Sequence, residues 1–405
     1  MTEGEAGIPP GDEGCSVRRG ERQLDRQATA NRRATRVVVG VLLAGVLAGG
    51  CGGGKHGGDA SADPTVRRAQ AVVDAPPPPL SAYRGPARGP PAAQPPLPVV
   101  FVAADLSDGG IAAEARAVQE AARTIGWPLK ILDGGANVQG ERQALLAALR
   151  LRPGGIILGG INAIDQRATL RAARERGVPV VGWHSEVRPG PDRKLGLFTN
   201  VTSDPTTVAR LAADYAIADS GGTAGVVIFT DRGYAIDTYT ANVMGSEIRK
   251  CRRCSVLQAF DIPIANAPVG LSGVVAALLQ RYGKRLGYLL AVSGAYIDGA
   301  RAALIGAGRQ GDQPPLSITA GYGDESEFAR IRGDDYQTAT VAEPLDLQGW
   351  QLIDELNRAR AHQPPSGYVA PPRLITKSDV PNGPVFDPPS GYRKNYLQIW
   401  HPRGH

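Results

Sequence analysis

From Pro98 onward the chain alternates two kinds of segment, and few folds accommodate that alternation. Short apolar runs rich in β-branched residues are VVFVAAD (99–105), LKILD (129–133), GIILGG (155–160) and VPVVGWH (178–184). Between them lie AAEARAVQEAARTIG (112–126), QGERQALLAALRLRPGG (139–155) and AIDQRATLRAARERG (163–177), each with helical periodicity. Runs of the first kind are strands buried on both faces. Strands that alternate with helices of this length imply right-handed βαβ units on a parallel sheet. After TNVTSDP the alternation restarts. Its strands are AGVVIFTD (224–231), VLQAFD (256–261), LGYLLAVS (286–293), LSITAGYG (316–323) and TATVAEP (338–344), and YVAPPRLIT (368–376) is a last extended piece. Asp204 reads as a helix N-cap with Pro205 at the first helical position. The expected fold class is therefore α/β, in two halves of similar size without a strong repeat between them.

Composition narrows the function. The hydrophobic fraction of 42% is ample for a sizeable core, and the net charge is +6. No basic run is interleaved with aromatics and no helix-turn-helix pattern occurs, so no nucleic-acid partner is expected. The helix-opening glycines form neither GxGxxG nor a phosphate loop, and no GxSxG occurs. Ser293, His184 and an aspartate can be drawn as a triad for a cleft hydrolase, but the nucleophile elbow is missing. No enzyme activity and no cofactor are expected. Cysteines stand at 15, 51, 251 and 254. The C-x-x-C at 251–254 sits at a helix end before a strand, whereas a thioredoxin-like motif opens a helix after a strand. Cys251 and Cys254 are therefore expected to form a structural disulfide, and without a second ligand pair they make no zinc site.

The first hundred residues differ in kind. Residues 1–50 carry seven arginines and six acids and end in VVVGVLLAGVLAGG, which precedes Cys51. The apolar run is shorter than the roughly 20 residues of a spanning helix, so it reads as the core of an export signal. Ala48, Gly49 and Gly50 before Cys51 resemble a lipoprotein signal, in which Cys51 becomes the lipid-bearing first residue and anchors the protein to a membrane. A plain cleaved signal or a short anchor is the alternative. Residues 51–97 are Gly-rich and then Pro-rich, a composition that makes a flexible tether without a core, and His56 reads as a solvated residue within it.

Several landmarks in the body resemble the type I periplasmic binding proteins, sugar-binding branch, of the ribose-binding kind. They are, in order, LPVVFVAADLSDGG, ERGVPVVGWHSE, VTSDPTTVARLAADYAI, LLAVSGAYIDGARAAL, TAGYGD and TATVAEPLDLQGW, spread over about 98–376. The resemblance implies two doubly wound parallel-sheet lobes joined by a three-segment hinge near 203–204, 343–344 and 371–372. Lobe one is then 98–203 plus 345–370, and lobe two is 204–344 plus 371–405. It further implies a monomer in the periplasm that captures a small polar solute, sugar-like or a polyol, in the interlobe cleft and delivers it to an ABC permease. A periplasmic sensor that feeds a receptor or kinase is the rival.

In this frame the strand tips carry the site. Trp183 and His184 end one strand: an indole face can stack on a sugar, and an imidazole can donate or accept a hydrogen bond. The bland alternative is a core tryptophan under the hinge. Asp105, Ser107 and Asp108 follow the first strand. Asp231, Tyr234 and Asp237 follow the opening strand of the second half. Ser293, Tyr296, Tyr322 and Asp324 lie in later loops, and Glu343 stands at the second crossing where the family has glutamine. The ligand chemistry departs from ribose binding. His184 and Ser185 replace an Asp-Arg pair, Gly110 and Ile111 replace two stacking phenylalanines, and Ser293 and Gly294 replace an Asn-Asp pair. The family's last-loop aspartate falls on Gly323, and its arginine falls near Thr238. Several carboxylates without an arginine favour a polyol, an amino-bearing or a cationic ligand over an acidic one.

Overall fold

The computed structural model describes residues 63–75 and 82–402. The expected export signal (1–50), the lipid-bearing Cys51 and His56 lie outside the described residues. The first described element is helix α1 (Pro64–Asp74), capped by Asp63, whose side chain accepts from Thr65 N.

The first sheet is built from β1 (Val99–Ala103), α2 (Gly109–Ile125), β2 (Leu129–Asp133), α3 (Val138–Arg150), β3 (Gly155–Gly159), α4 (Arg167–Glu175), β4 (Val180–Trp183), β5 (Gly190–Asp192) and β6 (Leu197–Val201). Its order is β2-β1-β3-β4-β6-β5, parallel except for the antiparallel β5 edge. Every residue of β1, β3 and β4 is buried, as strands covered on both faces must be. Asp108 starts α2 by accepting from Gly110 N and Ile111 N, and Gly126 ends it at φ +85°.

The chain then enters the second unit through α5 (Pro205–Asp219), capped by Asp204 with Pro205 at N1. There follow β7 (Gly225–Thr230), α6 (Ala235–Lys250), β8 (Ser255–Asp261), α7 (Ala267–Tyr282), β9 (Tyr288–Ala291), α8 (Ala295–Gly306), β10 (Leu316–Ala320), α9 (Glu325–Arg332) and β11 (Gln337–Ala342). Next, α10 (Leu345–Arg360) returns to pack on α2. Gly349 permits that contact, because a Cβ there would lie 2.5 Å from the Ala117 methyl. Strand β12 (Arg373–Thr376) joins the second sheet antiparallel to β11, giving the order β12-β11-β10-β9-β7-β8. The two sheets have separate hydrophobic cores, one around Phe101 and Ile157 and one around Phe229 and Leu289. This is a type I periplasmic-binding-protein architecture.

Two stretches differ from the sequence expectation. The tether region is partly structured. Helix α1 buries Val66 and Ala69 against the second core, and Arg68 reaches Asp214 (2.7 Å) and Glu247 (3.3 Å). Residues 88–93 lie along α10, where Asn357 and Arg358 bond the backbone of Arg88, Pro90, Pro91 and Ala93. Pro-rich backbone has carbonyls but few N–H donors, so side chains from a distant helix can fix it. The second difference concerns the tail, expected in lobe two. Only its first part stays there. Helix α11 (Tyr392–Trp400) packs on lobe one: Trp400 stacks on Trp350 at 5.3 Å and donates to Asp354 (2.9 Å), and Arg393 pairs with Glu120 (2.7 Å). The aromatic side of α11 covers an indole that α10 would otherwise expose.

Candidate functional site

In both sheets the strand order reverses next to the first strand, at β1/β3 and at β7/β9. Open α/β sheets bind ligands beyond the carboxyl ends of the strands at such switch points. A cavity of about 360 Å³ lies there, between the two units. Lobe one contributes Asp105 and Asp108 after β1, Asn137 and Glu141 after β2, and Asn162 and Asp165 after β3. Lobe two contributes Asp231 and Tyr234 after β7, Asp261 and Ile264 around the end of β8, and Tyr322 after β10.

Asn162 ties the lobes together across the cleft. Its Oδ1 accepts from Ala235 N (3.1 Å), and its Nδ2 donates to Gly233 O and to Asp165 Oδ2 (3.3 Å). Asp231 is held rigidly: Oδ1 accepts from Gly233 N (2.7 Å) and Oδ2 from Ile264 N (2.8 Å). Asp105 accepts from the Ser107 N–H and O–H through Oδ1 alone. The Asp108 carboxylate caps α2 with Oδ1 alone. Burial pushes its pKa up to about 6 against those two N–H bonds, with Asp324 and Asp105 adding to the rise. Burial likewise pushes Glu141 up to about 7, offset by Gln166.

A smaller recess adjoins this cavity and shares the Tyr322 wall. It is lined by His184, Ile236, Asp237, Thr240 and Glu343. Asp237 is 9% exposed and makes no hydrogen bond among the described residues. Burial raises its pKa well above the usual carboxylate range, and Asp231 and Asp108 push the same way. Tyr322 stands where side chains are missing from the opening loop. A Cβ on Gly110 would meet its ring at 2.4 Å, so an aromatic residue from lobe two fills the space left by glycine in lobe one.

Trp183 and His184 have a different task from the one their position suggests. Trp183 is fully buried and donates from Nε1 to Gln348 Oε1 (2.9 Å). His184 adopts φ +52°, a left-handed backbone rare for a non-glycine residue, and its ring lies 4.0 Å from the indole at 9°. Its Nε2 sits 3.1 Å from Glu343 Oε1, off hydrogen-bond alignment. Glu343 Oε2 accepts from Ser203 N (2.8 Å) and Gln348 Nε2 (2.7 Å), and Ser203 Oγ donates to Ala370 O (2.7 Å). These bonds join the chain at 203, 343 and 370, where it runs between the sheets. Burial acts to raise the Glu343 pKa, but His184, Gln348 and the Ser203 N–H outweigh it and hold the carboxyl below its usual value.

Of the residues singled out in the sequence, Asp105, Asp108, Asp231, Tyr234 and Tyr322 line the main cavity, and His184, Asp237 and Glu343 line the recess. The others line neither. Trp183 belongs to the hinge, not to a stacking wall. Ser107 is exposed and serves Asp105. Ser293 Oγ accepts from Ala295 N (3.3 Å). Tyr296 donates to Ile262 O (2.6 Å) and stacks on Phe229 at 5.7 Å, inside the lobe-two core. Asp324 caps α9. Cys251 and Cys254 are joined as a disulfide at the turn between α6 and β8, where Asp63 of the α1 cap accepts from Arg252 N (3.1 Å). Asn137, Glu141, Asn162, Asp165, Asp261 and Ile264 were missed. All lie at or beyond the carboxyl ends of β2, β3 or β8, so scanning every strand's carboxyl end would have found them.

These observations define a two-lobed binding protein with a solute-sized interlobe cavity. The chain belongs to the periplasmic binding protein family, whose periplasmic binding protein domain matches residues 99–363. No curated protein matches it. Among solved structures it is similar to a sugar ABC transporter protein from Yersinia enterocolitica (15% identity, TM-score 0.62, covering 72% of this chain and 87% of that one). It is also similar to an ABC transporter solute-binding protein from Mycobacterium smegmatis with bound glycerol (18%, 0.61, 72% and 99%). A third is the Caulobacter myo-inositol-binding protein bound to myo-inositol (18%, 0.60, 71% and 97%).

Proposed function

We propose that the protein is an exported, lipid-anchored solute-binding protein that captures a small polar ligand, sugar-like or a polyol, and hands it to an ABC importer. The observation that carries this reading is the cavity at the carboxyl ends of both sheets, with Asn162 of lobe one bonded to the lobe-two backbone across it. A ligand there touches both lobes, so it favours the closed arrangement and the composite outer surface that a permease would read. The relatives named above bind or transport such solutes, which supports the class. The leader ending at Cys51 supports export and anchoring, and metabolic labelling with a radioactive fatty acid, lost in Cys51→Ser, is the expected result.

The deciding experiment is a thermal-shift screen of the purified protein against sugars, polyols, amino sugars and amino acids, with recovery of the compound afterwards. A ligand that binds the native state alone adds about 2.7 kcal/mol at a hundredfold excess over Kd. A raised melting temperature with the compound returned unchanged is the expected outcome. Turnover of the compound would overturn capture in favour of catalysis.

A further inference from the structure

We infer that the captured solute carries a positive charge, a protonated amine on a small hydroxyl-bearing frame, held between the acidic cavity and Asp237. This rests on the solute-capture reading and specifies its ligand.

The main cavity is lined by six carboxylates, Asp105, Asp108, Glu141, Asp165, Asp231 and Asp261, and by one arginine. That arginine, Arg232, is 79% exposed along its side chain and already lies 3.3 Å from Asp261. The excess of negative charge is thus not balanced from within the lining. Acidic lining alone would not establish a cation site, because carboxylates cap helices and tie loops, and Asp231 spends both oxygens on backbone N–H groups. Asp237 is the independent observation. It is a buried carboxyl that faces the recess behind Tyr322, has both oxygens unused, and feels Asp231 and Asp108.

The groups around Asp237 do not neutralise it. His184 is directed at Glu343, and Thr240, Ile236 and Tyr322 bring no charge. A neutral sugar would satisfy acceptors with its hydroxyls and leave the mutual repulsion of Asp108, Asp231 and Asp237 unrelieved. An ammonium group donates three hydrogen bonds and relieves the mutual repulsion of several carboxylates at once. Tyr322 and Tyr234 add aromatic walls suited to apolar C–H groups beside the amine. A bare metal ion does not fit as well, since among the described residues no three His, Cys, Asp or Glu side chains are placed to hold one.

The test is calorimetry on the purified full chain with matched pairs that differ by one amine: glucosamine against glucose, an aminocyclitol against inositol, and an amino alcohol against its diol. The amine member is expected to bind at least tenfold tighter, with the advantage shrinking as salt is raised and with protons released to the buffer. Asp237→Asn is expected to abolish the preference while the unliganded protein keeps or raises its melting temperature. Asp108→Asn, which retains an N-cap side chain, is expected to reduce it. Equal or tighter binding of the neutral members overturns the inference and leaves solute capture standing. Failure of every amine and every neutral compound to shift stability overturns capture and this inference together.

Discussion

The hinge and the cavity both bury carboxylates, and they treat them in opposite ways. At the hinge, Glu343 accepts from Ser203 N and Gln348 and faces His184, and its pKa is held down. About the cavity, Asp108 leaves one oxygen free, Asp237 leaves both, and their pKa values are held up. The contrast separates structure from site. A buried carboxylate gripped by donors from other segments fixes geometry, and one left open keeps that capacity for an incoming group.

Mutation can break this comparison. The largest expected effect is that of Glu343→Ala, which strips Ser203 N, Gln348 and His184 of a shared partner. Loss of one member of a buried pair costs about 3–5 kcal/mol, so a steep fall in denaturation midpoint is expected. Asp237→Asn should show no such loss. If the two variants lose equal stability, the distinction fails.

Acidity sharpens it. Glu343, with a lowered pKa, contributes stability that is present above its unfolded value near 4.5 and lost as pH falls through the folded value. Asp108 does the reverse. Its stability contribution is present below 3.8 and is lost as pH rises through about 6, a difference of about 3 kcal/mol at one unit per 1.36 kcal/mol. Glu141, Glu327 and Glu355, each raised to about 7 chiefly by burial, act in the same direction. The unliganded protein is therefore expected to melt at higher temperature near pH 5 than near pH 8. Asp108→Asn should flatten that limb, and Glu343→Gln should flatten the acid limb instead. An Asp108→Asn variant whose melting temperature changes between pH 5 and 8 as much as the parent's would contradict the cavity half of the comparison.

Cys251→Ser opens a short loop. For a four-residue ring the chain-entropy estimate is about 2 kcal/mol, and because the disulfide lies at the α1 contact, ligand affinity should hold. The smallest effect is expected of Asn162→Ala. Two cross-cleft bonds at about 1 kcal/mol each should together weaken ligand binding by about thirtyfold, with little change in the melting temperature of the unliganded protein.

Much of the fold was legible in the chain. The apolar runs that became β1, β3, β4 and β9 are buried along their whole length, and Asp204 and Pro205 open α5 as their types demand. These signals are local: strand burial and helix capping depend on neighbours within a few positions. The site was legible only in part. Asp105, Asp108 and Asp231 follow strands and line the cavity, whereas Trp183, at an equally suggestive strand end, turned inward. Its partner Gln348 is 165 residues away on α10, and no local pattern announces that bond. Helix α11 and the docking of α1 were hidden for the same reason, since Trp400 needs Trp350 and Arg68 needs Asp214.

The sequence by itself determined the alternation, the helix starts and so the two doubly wound sheets, because these follow from periodicity and backbone chemistry. The tertiary structure alone decided which carboxylates are satisfied and which stand open, because that depends on donors delivered from remote segments. In this protein Glu343 at the hinge and Asp237 beside the cavity differ in that delivery.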